Sequence, residues 1–225
     1  MSQAEQAETA LAAFAARDAF GRLVGYLSAH FGTLSDAEDA LADALLAALS
    51  QWPQAGVPAN PTAWLLTVAR RRLADGTRRS LRAEKGAAQL ALLAEEAEAA
   101  QIEQGALPDE RLRLLLLCTH PAIDRALQAP LMLQTVLGFQ AAEIADAFLI
   151  APNTMGQRLA RAKTKIRESG LGFDVPPASA WPDRVAALLD AIYVCYKRGW
   201  AAPAGSASSE QRSEALWLAE LVTAR

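Results

Sequence analysis

Apolar residues recur at helical spacing along most of the chain, and almost nowhere do they alternate as a half-buried strand requires. Over residues 10–31, Leu11, Phe14, Phe20, Leu23, Val24 and Leu27 supply the apolar positions of a first helix. Gly32 and Thr33 interrupt it. Ser35, with Glu38 three residues on, has capping-box spacing and predicts the start of a second helix, LSDAEDALADALLAALSQW. Leu41, Leu45, Ala48 and Trp52 lie along one stripe of it, while Asp36, Asp39 and Asp43 share another face. PQAGVPANP follows, and its prolines and glycine predict irregular structure from Pro53 onward. Asn60-Pro61 then suits a helix start, and the third helix, TAWLLTVARRRLADGTRRS, is apolar in its first half and basic in its second. Trp64 in that first half reads foremost as a core residue and secondarily as a stacking platform for a base.

The pattern weakens over residues 83–106, an acidic stretch rich in Ala, Glu and Gln that reads as a helical or partly disordered linker. A second domain spans residues 107–170. It holds a helix through Cys118, a turn near His120-Pro121, a helix from Asp124 to Leu137, and FQAAEIADAFLIAPNTMGQRLARAKTKIR. In this last stretch Ala141, Ile144, Ala145 and Phe148 form one apolar stripe, and Met155, Leu159, Ala162 and Ile166 form another. Between them a short break leads to Pro152, whose missing N–H is harmless in the first turn of a helix. Two short helices around a tight turn, the second one basic, make a helix-turn-helix. Residues 171–225 form an extension of two further apolar helices, too small for a core of their own and expected to dock on other parts of the chain or on a partner.

Composition agrees with this all-α reading: the 225 residues are rich in Ala and Leu and 6% aromatic. No run is long and apolar enough for a membrane span, and MSQAEQAETALAAF lacks the basic n-region of a secretory signal. The only cysteines, Cys118 and Cys195, imply no disulfide framework, so a cytoplasmic location is expected. The net charge of −3 excludes indiscriminate coating of nucleic acid, but the charge is unevenly spread. Arg70, Arg71, Arg72, Arg78, Arg79, Arg82 and Lys85 form one basic island, and Arg158, Arg161, Lys163, Lys165 and Arg167 form another. Two basic surfaces on an acidic chain predict two separate nucleic-acid contacts. In the helix-turn-helix, Asn153, Thr154, Gln157 and Arg158 are placed to meet base edges, and the later basic residues to meet phosphates.

Other chemistry finds little support. Asp36, Asp39 and Asp43 could hold Mg²⁺ in an all-α enzyme, but no second acidic motif converges on them. Cys118 and His120 lack a second pair at zinc spacing. No nucleophile with its base and no phosphate loop is present, so neither a catalytic residue nor a cofactor is expected.

The order AEDALADALLAALSQWP, AWLLTVARRRLADGTRR, linker, PDERLRLLLLCTHPA and EIADAFLIAPNTMGQRLARAKTKIR resembles bacterial RNA polymerase sigma factors of the extracytoplasmic-function group. The GFDVPP…WPDRVAALLDAIYVCYKRGW that follows is similar to a subgroup with a C-terminal helical extension, here short. The resemblance implies region 2 over residues 10–82 and a region 4 helix-turn-helix over residues 107–170. It also implies core RNA polymerase as partner, gripped at its β′ clamp helices and β flap, and promoter DNA at the minus-10 and minus-35 elements. Asp39, Leu41, Asp43 and Leu45 then correspond to the polymerase-binding helix. The loop of residues 51–61 corresponds to the pocket for a flipped minus-10 base. Trp64, Arg70, Arg71, Arg72, Arg78 and Arg79 lie on the helix that holds the minus-10 strand, and residues 152–167 on the minus-35 reader. No anti-sigma contact is legible. The sequence departs from the family at Ala42-Asp43, usually Gln-Glu, and at Gly76 and Thr77, where a mid-helix Gly costs about 1 kcal/mol against Ala. A stand-alone helix-turn-helix regulator is the alternative.

Overall fold

The computed structural model describes residues 2, 5, 7, 17–80, 109–171, 177–200 and 215–220. Among these, every regular element is helical, as the apolar spacing requires. The first part of the expected first helix, residues 10–16, and the whole expected linker lie outside the described residues. The chain divides into two compact units, one comprising residues 1–14 and 26–109 and the other residues 15–25 and 110–225.

Helix α1 (Arg17–Phe31) carries buried Leu23, Val24, Tyr26 and Leu27. Its last turn, with α2 (Leu34–Ala55) and α3 (Pro61–Ser80), belongs to the first unit, whose core is the α2–α3 contact. The α2 start differs from the sequence expectation. Thr33, not Ser35, is the cap: its hydroxyl accepts from the Asp36 N–H at 3.3 Å, and the Asp36 carboxylate accepts from the Thr33 N–H at 3.2 Å. Leu34 explains the shift, because it is buried and must already sit on the first turn to reach the core. The end of α2 differs too. The helix runs through Pro53 to Ala55, because a proline in the last turn removes only one intrahelical bond. Gly56 stops it at φ 85°, a backbone conformation that glycine adopts without cost. The irregular connection is thus residues 56–60, shorter than the sequence suggested. Asn60 caps α3 by accepting the Ala63 N–H at 3.1 Å, and α3 continues through Gly76 to Ser80.

The second unit is built on α4 (Arg111–Cys118), α5 (Arg125–Thr135), α6 (Ala141–Ala147) and α7 (Pro152–Glu168). Leu114 to Cys118, Leu131 to Leu133, Val136 and Phe139 fill its core, and Met155, Leu159, Ala162 and Ile166 are buried as their spacing predicted. The Cys118 thiol lies 3.4 Å from the Thr135 hydroxyl; since that hydroxyl donates to the Leu131 carbonyl, the thiol is the donor. The first half of α1 also belongs here. A Cβ on Gly21 would overlap the Val136 carbonyl, so only glycine permits this approach.

The extension docks on this same unit. Helix α8 (Trp181–Trp200), preceded by a 3-10 turn at Ala178–Ala180, packs on α5 and buries Ala187, Leu188, Ala191 and Cys195. Arg125 and Asp190 pair across that contact at 2.9 Å. Residues 215–220 form a further helical turn whose Trp217 ring lies 3.8 Å below the guanidinium of buried Arg111.

Candidate nucleic-acid interface

Three side-chain sets carry the chemistry. The first lines a cleft of about 570 Å³ between the 56–60 connection and α3, with Pro58, Asn60, Trp64, Thr67, Arg70 and Arg71 on its walls. The polar groups among them are not equivalent. Asn60 has its carbonyl oxygen on the Ala63 N–H, and the Thr67 hydroxyl donates to the Ala63 carbonyl at 2.8 Å. The remaining walls of the cleft carry the half-buried Trp64 ring and the Arg70 and Arg71 side chains. Trp64 is fixed edge-on against the buried Trp52 ring, with centroids 5.4 Å apart. Arg70 is held with its Cζ 4.6 Å from the Phe31 ring centroid. A ring set against Trp52, with a held Arg70 and an exposed Arg71 nearby, has the chemistry that suits a base with its phosphate.

Arg71 and Arg72 are exposed farther along α3. Arg78 and Arg79 lie on its final turns, where their side chains fall outside the described residues. Trp64, Arg70 and Arg71 are therefore brought together at one cleft, whereas Arg72 turns toward α2 and pairs with Asp43 at 3.8 Å.

The second set is the outer face of α2. Asp39 and Asp43 are exposed there and Leu45 is half-buried. Leu41, named with them from sequence, is 0% exposed, because it packs into the α2 core stripe and has no surface to offer a partner. In its place stand two residues that the sequence reading missed, Leu46 and Leu49, exposed by 63% and 54%. Their signal was present: Asp43, Leu46 and Leu49 follow one another at intervals of three, which puts them on one face. An acidic edge beside two exposed leucines is complementary in chemistry to an apolar, basic helix. Among the described residues no group of three His, Cys, Asp or Glu side chains could hold a metal ion, and Asp36 is spent on the α2 cap.

The third set lies on α7. Glu143 caps α6 by accepting the Gln140 N–H at 2.8 Å, and a turn over residues 148–151 leads into α7 at Pro152. With the apolar face of α7 buried, Asn153, Gln157, Arg158, Arg161 and Lys165 are exposed, and Thr154 and Lys163 are half-buried. Leu149 in the turn has φ 55° and is 93% exposed, a costly conformation for a residue with a Cβ. No helix among the described residues is long and apolar enough to cross a membrane.

The first unit thus carries a cleft walled by an aromatic ring and cations, and the second carries a helix pair whose outer helix is basic. Residues 16–83, which include α1, α2 and α3, match the family described as Sigma-70 region 2. Residues 110–225 lie outside that match. The chain is also 35% identical over 206 residues to a Rhizobium meliloti (strain 1021) protein described as uncharacterized, covering 88% of this chain and 48% of that protein. The chain thus spans about half the length of the curated relative it matches. No solved structure matches it.

Proposed function

We propose that the chain is a promoter-specificity factor of the extracytoplasmic-function group of sigma factors, acting on promoter DNA together with core RNA polymerase. The observation that carries this reading is the α3 cleft, in which Trp64, Arg70 and Arg71 converge within the stretch that matches sigma-70 region 2. Unstacking a base from a duplex costs a few kcal/mol, and a preformed aromatic wall with cations for the adjoining phosphates offsets that cost. The α3 surface takes the minus-10 strand, and the basic face of α7 takes the minus-35 duplex, with Asn153, Gln157 and Arg158 toward the bases. Region 2 spans residues 10–82 and region 4 residues 107–170.

Core polymerase is bound through Asp39 and Asp43 with Leu46 and Leu49, a surface that fits the β′ clamp helices, while the second unit engages the β flap. Polymerase supplies the second anchor for α7, so the protein has no need to dimerise on DNA as a stand-alone regulator does. The test is co-purification with bacterial core polymerase, followed by sequencing of the bound DNA. A complex that selects two spaced elements is expected. No binding to core at micromolar concentration, with firm duplex binding by the free protein, would assign it instead to the stand-alone regulators.

A further inference from the structure

Helix α8 is held at its first half by a small polar junction that the promoter reading does not use. Arg184 of α8 donates from Nη1 to the Leu116 carbonyl at 3.0 Å, in the last turn of α4. A cation at a helix C-terminus is favoured by the exposed carbonyls there. The same carbonyl accepts from the Thr119 hydroxyl at 2.9 Å. Directly after it comes His120. Its Nδ1 accepts the Ala122 N–H at 3.1 Å, and its backbone carbonyl accepts from the Gln128 amide at 3.3 Å. An imidazole nitrogen that accepts from a backbone amide must be unprotonated. The turn is therefore built around neutral His120, with the Arg184 charge close enough to act on it.

We propose that His120 and Arg184 form an acid-sensitive clasp that seats the first half of α8 on the end of α4, and that a proton on His120 opens it. Two consequences of protonation act together. Nδ1 ceases to be an acceptor, so the Ala122 N–H loses its partner, and the imidazolium repels Arg184. The remaining charges nearby do not cancel this. Asp124, at the start of α5, is exposed and engaged on the Ala126 N–H at 3.0 Å. Arg125 is paired with Asp190, and Asp183 on α8 is exposed to solvent. The last turn of α4 and the 3-10 turn at Ala178–Ala180 bring no charged side chain. Burial, with Arg184 as the second cause, holds the His120 proton affinity below the ordinary histidine range. The unfolded or undocked turn then binds more protons than the docked one, so docking is complete above the ordinary histidine range and is lost as pH falls through the lowered value. The Arg125–Asp190 pair lies farther along α8 and is indifferent to this step, so opening is confined to the first half of the helix.

Amide hydrogen exchange on the full chain, corrected for the intrinsic pH dependence, tests this. Between pH 7.5 and pH 5, protection over residues 185–189 is expected to fall by about tenfold more than protection in α2. His120→Gln keeps a side-chain acceptor without a titrating group and should abolish the excess loss. Arg184→Gln should weaken protection at every pH and shrink the excess loss, since only the repulsion of the imidazolium is removed, which keeps the test decisive if the first variant perturbs the turn. Wild-type residues 185–189 that track α2 throughout, an excess loss that survives in His120→Gln, or one undiminished in Arg184→Gln, would overturn the clasp. The inference does not depend on the promoter reading.

Discussion

Both basic helices carry their cations beside a buried apolar stripe, yet they hold them differently. On α3, Arg70 lies over the Phe31 ring, Arg72 pairs with Asp43, and Trp64 abuts Trp52. On α7, Arg158, Arg161 and Lys165 stand exposed on the face opposite Met155, Leu159 and Ile166. On the proposed function, the difference matches what each would meet. A single strand brings no geometry of its own, so its receptor gains by fixing aromatic and cationic groups beforehand. A duplex presents a regular groove, and a rigid helix with long side chains can adjust to it. Pre-organisation on α3 and adaptability on α7 make different demands on the residues beneath them.

The largest effect should come from removing the support under α3. Trp52→Ala deletes a 1% exposed ring and the wall against which Trp64 is set. It should cost about 3–5 kcal/mol in urea unfolding and abolish binding of minus-10 single strands, while binding of minus-35 duplex survives. Single-strand binding that persists in this variant would mean that α3 needs no pre-organised ring. Next comes the unit that carries α7. Gly21→Ala forces a methyl into the Val136 carbonyl, and a contact with backbone can be relieved only by moving α1. A loss of about 1–3 kcal/mol is expected in the same measurement; a neutral result would show that α1 is not seated there.

These supports also mark where the sequence was legible and where it was not. Leu41, Ala48 and Trp52 of α2 and the buried positions of α7 followed from periodicity alone, since a stripe at 3.6 spacing must face a core, whereas Leu45 of the α2 stripe is only half-buried. The helix-turn-helix and the basic islands were likewise readable, because Pro152 and clustered arginines act locally. What failed were choices settled by tertiary context. Thr33 rather than Ser35 caps α2 because Leu34 needs the core, and Pro53 is accepted because helix end and bond loss coincide. Spacing had put Leu41 on the apolar stripe, and only the resemblance put it on the partner face, from which its burial removes it, while Leu46 and Leu49 stand on the outside. The clasp at His120 joins residues far apart in sequence and has no local signature at all.

On α7 the sharpest single change is Arg158→Ala. If its fork meets a base edge, minus-35 affinity should fall by about 1–3 kcal/mol with relaxed preference at one position. Arg161→Ala, one helical turn on, should instead weaken all duplexes alike and lower the salt slope by about one. Equal, sequence-independent losses in both would make Arg158 a phosphate contact too, and α7 a less specific reader than α3 is a pocket.

The smallest effect bears on the contrast itself. Arg72 lies on the helix proposed to bind the strand and Asp43 on the face of α2 proposed to bind polymerase, and the two are joined at 3.8 Å with both side chains more than half exposed. An exposed pair of this kind is worth about 0–1 kcal/mol. If a cation of the polymerase takes Asp43, Arg72 is released toward the strand, and by linkage the strand must favour polymerase to the same degree. A double-mutant cycle with Asp43→Asn and Arg72→Gln, read as single-strand affinity with and without core enzyme, measures this. In the free protein, Asp43→Asn should raise strand affinity by about twofold, and only while Arg72 is present. With core bound, that gain should vanish, because Asp43 is already occupied. An equal gain in both states would leave Arg72 a fixed cation like Arg70, and α3 pre-organised along its whole described length.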